Sequence, residues 1–274
     1  MILTDQFVYL HVPKTGGTFV TSALERLYER RSSLTKRTIS RTRGTRLGGK
    51  AYKRLVEKGA FDYLNVSKHG HCRAIPESHR NKPVIACIRN PFDRQVSQFE
   101  FRWWERHPHM LGDLAEIRRL MPHFPDLSFD DYMTLVRKKY SPDMENPELR
   151  GQVSVGVQTR QFVDMFFPEP EKVLRQLDDQ YIERRGWEQD MIDVRFIHTE
   201  NLNRELHDRL VDFGFDPGEL GFLLESGKVL PRGNVRKPEQ NWERYYSPEQ
   251  RERFQRSERL LFAMFPEYTD EPGE

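Results

Sequence analysis

Apolar and polar positions change period several times along the chain, and each change marks an element. Residues 6–12 (QFVYLHV) are aromatic and β-branched almost without a break, which predicts a buried strand. The turn PKTGG ends that run. From Thr18 onward the apolar residues fall at Phe19, Val20, Ala23, Leu24, Leu27 and Tyr28, the spacing of an amphipathic helix that the Thr18 hydroxyl is placed to cap. A second strand–turn–helix unit begins at residues 83–89 (PVIACIR), the clearest strand in the chain, apolar until Arg89 closes it. Pro91 suits a first helical position, and Phe92, Val96, Phe99 and Trp103 continue at helical spacing.

Elsewhere the pattern is weaker. Residues 32–50 show no period and read as a loop, 51–58 predict a short helix, and 61–67 (FDYLNVS) a strand with His69-Gly70-His71 just past its end. Residues 107–155 look mostly helical between several prolines. Helices are expected over 158–166 and 171–185, a strand over 193–198, and a helix over 202–213 stopped by Gly214. A basic loop over 226–241 and a last helix over 248–265, capped by Ser247, complete the chain.

Strands alternating with helices imply an α/β fold: a three-layer, P-loop-like domain with a central, mostly parallel sheet flanked by helices. With no internal repeat and no second composition regime, residues 1–274 read as a single domain. Within it lie a basic loop or insert at about 30–58, a helical region at about 105–185, and the basic loop and helix at 226–265. Ligands of such sheets bind beyond the carboxyl ends of the strands. Three segments fall there: the loop after Val12, the residues after Ser67, and Arg89.

Composition narrows the class. With 36% hydrophobic and 31% charged residues and no apolar run near the ~18 needed to span a bilayer, a membrane span is not expected. The first residues lack the pattern of a signal peptide, so a cytoplasmic setting is expected. Cys72 and Cys87 supply neither a disulfide framework nor a metal-ligand spacing. The net charge of +2 hides an asymmetry: residues 26–58 hold 12 Lys/Arg against Glu29 and Glu57, a balance of +10 that leaves −8 for the rest. Such a block attracts polyanions, although it reads equally well as a solvated loop.

The residues with chemistry to offer begin in the first turn. Glycines at 16 and 17 let backbone N–H groups approach an oxyanion, the helix behind them adds its positive end, Lys14 brings a full charge, and Thr15 and Thr18 bring hydroxyls. This is not a Walker A loop, because GK[ST] is missing and the lysine precedes the glycines. In RNPFDRQVS, Arg89 and Ser97 offer a guanidinium fork and a hydroxyl that suit a phosphate.

Taken together, PKTGGT after an N-terminal strand and RNPxxRxxSxxxF after a second strand resemble the PAPS-dependent sulfotransferases. The likeness is closest to the carbohydrate branch, including the heparan sulfate 2-O-sulfotransferases and bacterial relatives, where a His-Gly-His element follows an internal strand. The resemblance implies that Lys14, Thr15, Gly16, Gly17 and Thr18 bind the 5′-phosphosulfate of 3′-phosphoadenosine 5′-phosphosulfate (PAPS). It implies likewise that Arg89 and Ser97 bind the 3′-phosphate, with Arg232 or Arg236 of the late basic loop folding over it. The product would be adenosine 3′,5′-bisphosphate, and no metal is required. His71 is the implied general base, with His69 as accessory or alternative, and Lys14 stabilises the leaving phosphate. Gln158 and Arg160, in the QTR segment, are candidates for acceptor contact in the 105–185 region.

The acceptor is expected to carry a hydroxyl, and the basic block favours an acidic saccharide; nucleic acid is not expected. Two other readings compete: a P-loop-type nucleotide-dependent kinase, and a non-enzymatic polyanion-binding protein working through residues 26–58.

Overall fold

The computed structural model describes residues 1–36, 61–62, 69–140, 155–225 and 241–269. Two compact units make up the chain: Met1–Arg89 with Asp193–Val235, and Asn90–Ile192 with Arg236–Glu274.

The first unit is built on a five-stranded sheet. Its strands are β1 (Ile2–Thr4), β2 (Val8–Leu10), β3 (Phe61–Asp62), β4 (Val84–Ile88) and β5 (Val194–His198), in the order β3-β1-β2-β4-β5. β1 runs antiparallel to β2 and β3, whereas β2, β4 and β5 are mutually parallel, so the sheet is mostly parallel. Leu10 pairs with Ala86 and Ile88 with His198, which brings the carboxyl ends of β2, β4 and β5 to one edge. β4 is buried at every position, as an unbroken apolar run in a parallel sheet requires. The sequence reading missed β1. It is three residues long, and Thr4-Asp5-Gln6 reads as a turn, which in part it is: the Thr4 hydroxyl donates to the Phe7 carbonyl (2.7 Å) and accepts from the Phe7 amide (2.8 Å).

Helix α1 (Gly17–Lys36) begins directly after the first loop. It contributes Phe19, Val20, Leu24 and Leu27 to one buried cluster with Phe7, Tyr9 and Ile85 of the sheet. Helix Leu202–Asp212 adds Leu206 and Leu210 to that cluster and stops before Gly214, whose φ of 85° takes the backbone out of the helical region. Helix Pro217–Glu225 was not anticipated, although Asp216-Pro217 is an N-terminal signal.

The second unit is helical. Asn90 caps helix Pro91–Glu100, its side chain accepting from the Phe92 amide (2.9 Å), and Pro91 takes the first position as expected. Phe92 then sits at the centre of an aromatic core, stacked on Trp242 with centroids 4.7 Å apart and meeting Tyr246, Phe254 and Phe262. Two expected helices are broken. The 171–185 segment forms Pro170–Gln176 and Asp179–Glu183, because Asp178 starts a new helix by accepting from the Tyr181 amide (2.7 Å). The 248–265 segment forms Pro248–Ser257, behind the expected Ser247 capping box, and Arg259–Met264.

The break between those two falls at Glu258, whose carboxylate turns inward to accept the amides of Gln158 (3.0 Å) and Thr159 (2.6 Å) at the start of helix Val157–Phe166. No helix among the described residues is long and apolar enough to cross a membrane. The expected helix at 51–58, residues 63–67 of the expected strand, and the loop at 226–240 lie outside the described residues.

Candidate functional site: an anion loop at the carboxyl edge of the sheet

Between β2 and α1 the chain makes a tight loop whose shape is set from several sides. The Thr15 hydroxyl, fully buried, donates to the Val12 carbonyl (3.0 Å). Lys14 sits at φ 66° and Gly16 at φ 79°. The first value costs a side-chain-bearing residue on the order of 1 kcal/mol, which the surrounding contacts must hold in place. Arg89, leaving the end of β4, donates from Nη1 to the Lys14 carbonyl (3.1 Å). Thr199, just past β5, has a hydroxyl lying 3.0 Å from the Thr15 carbonyl and 2.8 Å from that of Ile88, so one proton is shared between the first loop and β4.

Because a trans peptide directs its C=O and N–H to opposite sides, fixing the carbonyls of Lys14 and Thr15 fixes where the amides of Thr15 and Gly16 point. Among the described residues, no acceptor in the chain takes the amides of Thr15, Gly16, Gly17 or Thr18. Four successive donors at the start of a helix form a concave anion site. Burial, with the charge of Arg89 adding to it, lowers the Lys14 ammonium to a pKa of about 8. A bound anion would offset both by favouring the charged form. The loop therefore has the donors, the charge and the backbone concavity that a phosphosulfate demands. The Thr15 hydroxyl, expected to face that ligand, spends its proton on Val12 instead.

The two glycines have different reasons. A Cβ on Gly16 would stand 2.6 Å from Leu202 Cδ2, and its φ is positive in any case. A Cβ on Gly17 would fall within the imidazole of His11, a buried residue whose ring lies against the first turn of α1. Gly17 is thus required by a histidine as well as by any anion.

His11 leads to the His-Gly-His element. Its carbonyl lies 2.9 Å from His69 Nδ1, and its ring meets the His69 ring edge-on with centroids 4.8 Å apart. A carbonyl only accepts, so Nδ1 of His69 carries a proton, and in the neutral form of the ring the lone pair lies on Nε2. His71 is half-buried, and its Nδ1 has no hydrogen-bond partner among the described residues.

The structure thus gathers Lys14, the 15–18 amides, Arg89 and His69 into the first unit, together with two residues the sequence reading passed over. His11 lies near the end of the QFVYLHV run and opens the motif HVPKTGGT, and only its contacts in the fold mark it as part of the site. Thr199 follows the end of β5, a position where parallel sheets place ligand contacts.

The remaining candidates belong elsewhere. Ser97 is half-buried on helix Pro91–Glu100 of the second unit. Gln158 corrects an expectation, since it is 1% exposed and its side chain is occupied inside that unit. Its amide donates to Pro91 O (2.9 Å) and Gln95 Oε1 (3.0 Å), while its oxygen accepts from buried Arg94 (3.2 Å). Its place in the QTR segment suggested an acceptor contact, but the side chain serves as a core hydrogen-bonding hub. Arg160, next on that helix, is half-buried, and Arg232 and Arg236 lie outside the described residues. Among the described residues, no cluster of three or more His, Cys, Asp or Glu is arranged for a metal.

The model of the sulfotransferase family matches residues 2–149, more than half of the chain. None of the curated proteins matches the sequence. Among solved structures, that of mouse sulfotransferase SULT7A1 complexed with PAP is similar at 17% identity, over 97% of this chain and 86% of that one, with a TM-score of 0.43. The loop between β2 and α1, and the strand that ends at Arg89, both fall within the matched span, and the chain belongs to the sulfotransferase family.

Proposed function

We propose that this protein transfers the sulfuryl group of PAPS to a hydroxyl of a carbohydrate acceptor, with His69 Nε2 as general base. The observation that carries the reading is the pinned loop, whose four successive amides and Lys14 await an anion at the start of α1. The donor supplies an activated sulfuryl group on a phosphate that leaves as adenosine 3′,5′-bisphosphate. The chain supplies the rest. The amides of Thr15 to Thr18 and the Lys14 ammonium bind the 5′ end and offset the charge that grows on the departing phosphate oxygen. Arg89, and Ser97 in the helix after it, take the 3′-phosphate by their place in the family pattern, and Arg232 or Arg236 adds to them.

A base removes the acceptor's proton as the new S–O bond forms and the old one breaks. His69 is favoured over His71 because its tautomer leaves Nε2 as the acceptor nitrogen, whereas His71 Nδ1 has no such partner among the described residues. The basic residues at 26–58 favour an acidic saccharide as the acceptor.

A thermal-shift comparison tests the donor. Adenosine 3′,5′-bisphosphate should stabilise the protein without metal, whereas stabilisation only by ATP with magnesium would favour the kinase reading. A saccharide panel with labelled PAPS tests the acceptor. Heparin binding that survives Lys14→Met, with no transfer to any acceptor, would leave only a polyanion-binding protein.

A further inference from the structure

The second unit contains a cavity of about 80 Å³ between helices Phe129–Tyr140 and Pro248–Ser257. Phe129, Met133, Val136 and Phe254 make its wall apolar and largely aromatic. Its floor is polar and closed to bulk water: Gln95 and Glu258 are each 2% exposed. One oxygen of Glu258 accepts the Gln158 amide and the other accepts that of Thr159. A carboxylate has lone pairs for about twice that many donors, so a ligand hydroxyl can still be received there. At roughly 10–15 Å³ per water position, that space corresponds to several waters and suits only a small ligand.

The mouth has the opposite character. Arg137, Arg253, Asp130 and Gln250 stand around it, and the Asp130 carboxylate is engaged by the Gln250 amide (2.8 Å). Among the described residues, neither arginine has an ionic or hydrogen-bonding partner. Elsewhere in this unit Arg102, Arg185 and Arg256 each pair with a nearby carboxylate. Two guanidinium groups without a partner among the described residues, over an aromatic shaft with a hydrogen-bond acceptor at the bottom, specify a ligand by its ends. An anion belongs at the mouth, a flat apolar body in the shaft, and a hydroxyl donor at the floor.

We propose that this cavity binds a small aromatic acid bearing a hydroxyl at its far end. Its carboxylate lies against Arg137 and Arg253, its ring among Phe129, Met133 and Phe254, and its hydroxyl donates to Glu258. No proton or group transfer is involved, and the proposal stands whether or not sulfuryl transfer is the protein's reaction.

Calorimetric titration of the full chain, with no nucleotide present, tests it using three probes. 4-Hydroxyphenylacetate should bind. Phenylacetate, lacking the hydroxyl, should bind about tenfold more weakly, and tyramine, with an ammonium in place of the carboxylate, should not bind. Arg137→Ala with Arg253→Ala should weaken the acid tenfold or more, while Lys14→Met leaves its affinity unchanged. Met133→Trp should fill the shaft and abolish binding, with circular dichroism reporting whether that variant folds; the arginine variants lie at the mouth and give an answer even if it does not. Failure of 4-hydroxyphenylacetate to bind at millimolar concentration overturns the proposal. So does binding of tyramine, or binding of the acid that survives loss of both arginines.

Discussion

His69 Nδ1 lies 2.9 Å from the main-chain carbonyl of His11, and the same histidine's ring packs edge-on against that of His69. One residue at the root of the anion loop therefore sets both the tautomer and the tilt of the imidazole proposed as base. Orienting a histidine through a carbonyl on Nδ1 is how proteins commit the other nitrogen to chemistry.

Substituting His69 by Asn keeps a donor for the His11 carbonyl but removes Nε2. Turnover should fall about 10²–10⁴-fold, with the KM for PAPS within a factor of about two. The acid limb of the pH–rate profile should disappear with it. His71→Asn should cost less than tenfold and keep that limb; the reverse ranking would move the base to His71.

Lys14 titrates near 8 in the free protein, below its ordinary value of 10.5. The unfolded chain then holds more protons between those two values, so the charged lysine lowers stability at neutral pH and the loss is recovered as pH rises from about 8 toward 10.5. Lys14→Met should therefore raise the melting temperature at pH 7 while abolishing stabilisation by adenosine 3′,5′-bisphosphate. In the unmodified protein, affinity for that nucleotide should decline as pH rises through about 8, as read by calorimetry.

Gly17→Ala places a methyl group within the His11 imidazole, and overpacking of this kind typically costs about 1–3 kcal/mol. Urea unfolding should show that loss. Adding His11→Ala should recover part of it, because removing the ring makes room for the methyl group. Strict additivity of the two changes would mean that the ring and the glycine do not meet.

Glu258 is buried and pushed upward by desolvation, with the Thr159 and Gln158 hydrogen bonds and the Arg94 charge pulling the other way. The folded state thus holds its proton more tightly than the unfolded one, so its contribution favours folding less as pH rises above the ordinary carboxylate range. Glu258→Ala should nonetheless destabilise by about 2 kcal/mol or more at neutral pH, because two buried amides lose their acceptor. Urea midpoints across pH 4–8 should show the variant with the shallower slope.

Much of the first unit was legible because its information is local. The QFVYLHV and PVIACIR runs hold the buried strands Val8–Leu10 and Val84–Ile88, PKTGG turns the chain, and Asn90-Pro91 opens the first helix of the second unit as its geometry dictates. Breaks such as the one at Glu258 were not legible. Helical spacing continues through it, and the reason to stop is a carboxylate serving amides 100 residues away in the chain. Gln158 was misjudged for the same reason, since a residue's polarity does not reveal whether its partners are water, ligand or buried Arg94. His11 and His69 were both visible, but their contact joins residues 58 apart in sequence and needed the fold to appear.

Thr199 joins the ends of the first loop and β4 from a position 184 residues beyond Thr15. That distance sets an order of events during synthesis. A nascent chain that has emerged only to residue 149, the span matched by the family model, has its motifs in place but lacks β5 and the hydroxyl that ties Thr15 to Ile88. Its first loop stays unfastened until nearly three quarters of the protein has left the ribosome. A truncated fragment carrying every signature residue from Lys14 to Ser97 should therefore be a poor nucleotide binder, because the hydroxyl that fastens the loop lies beyond its end.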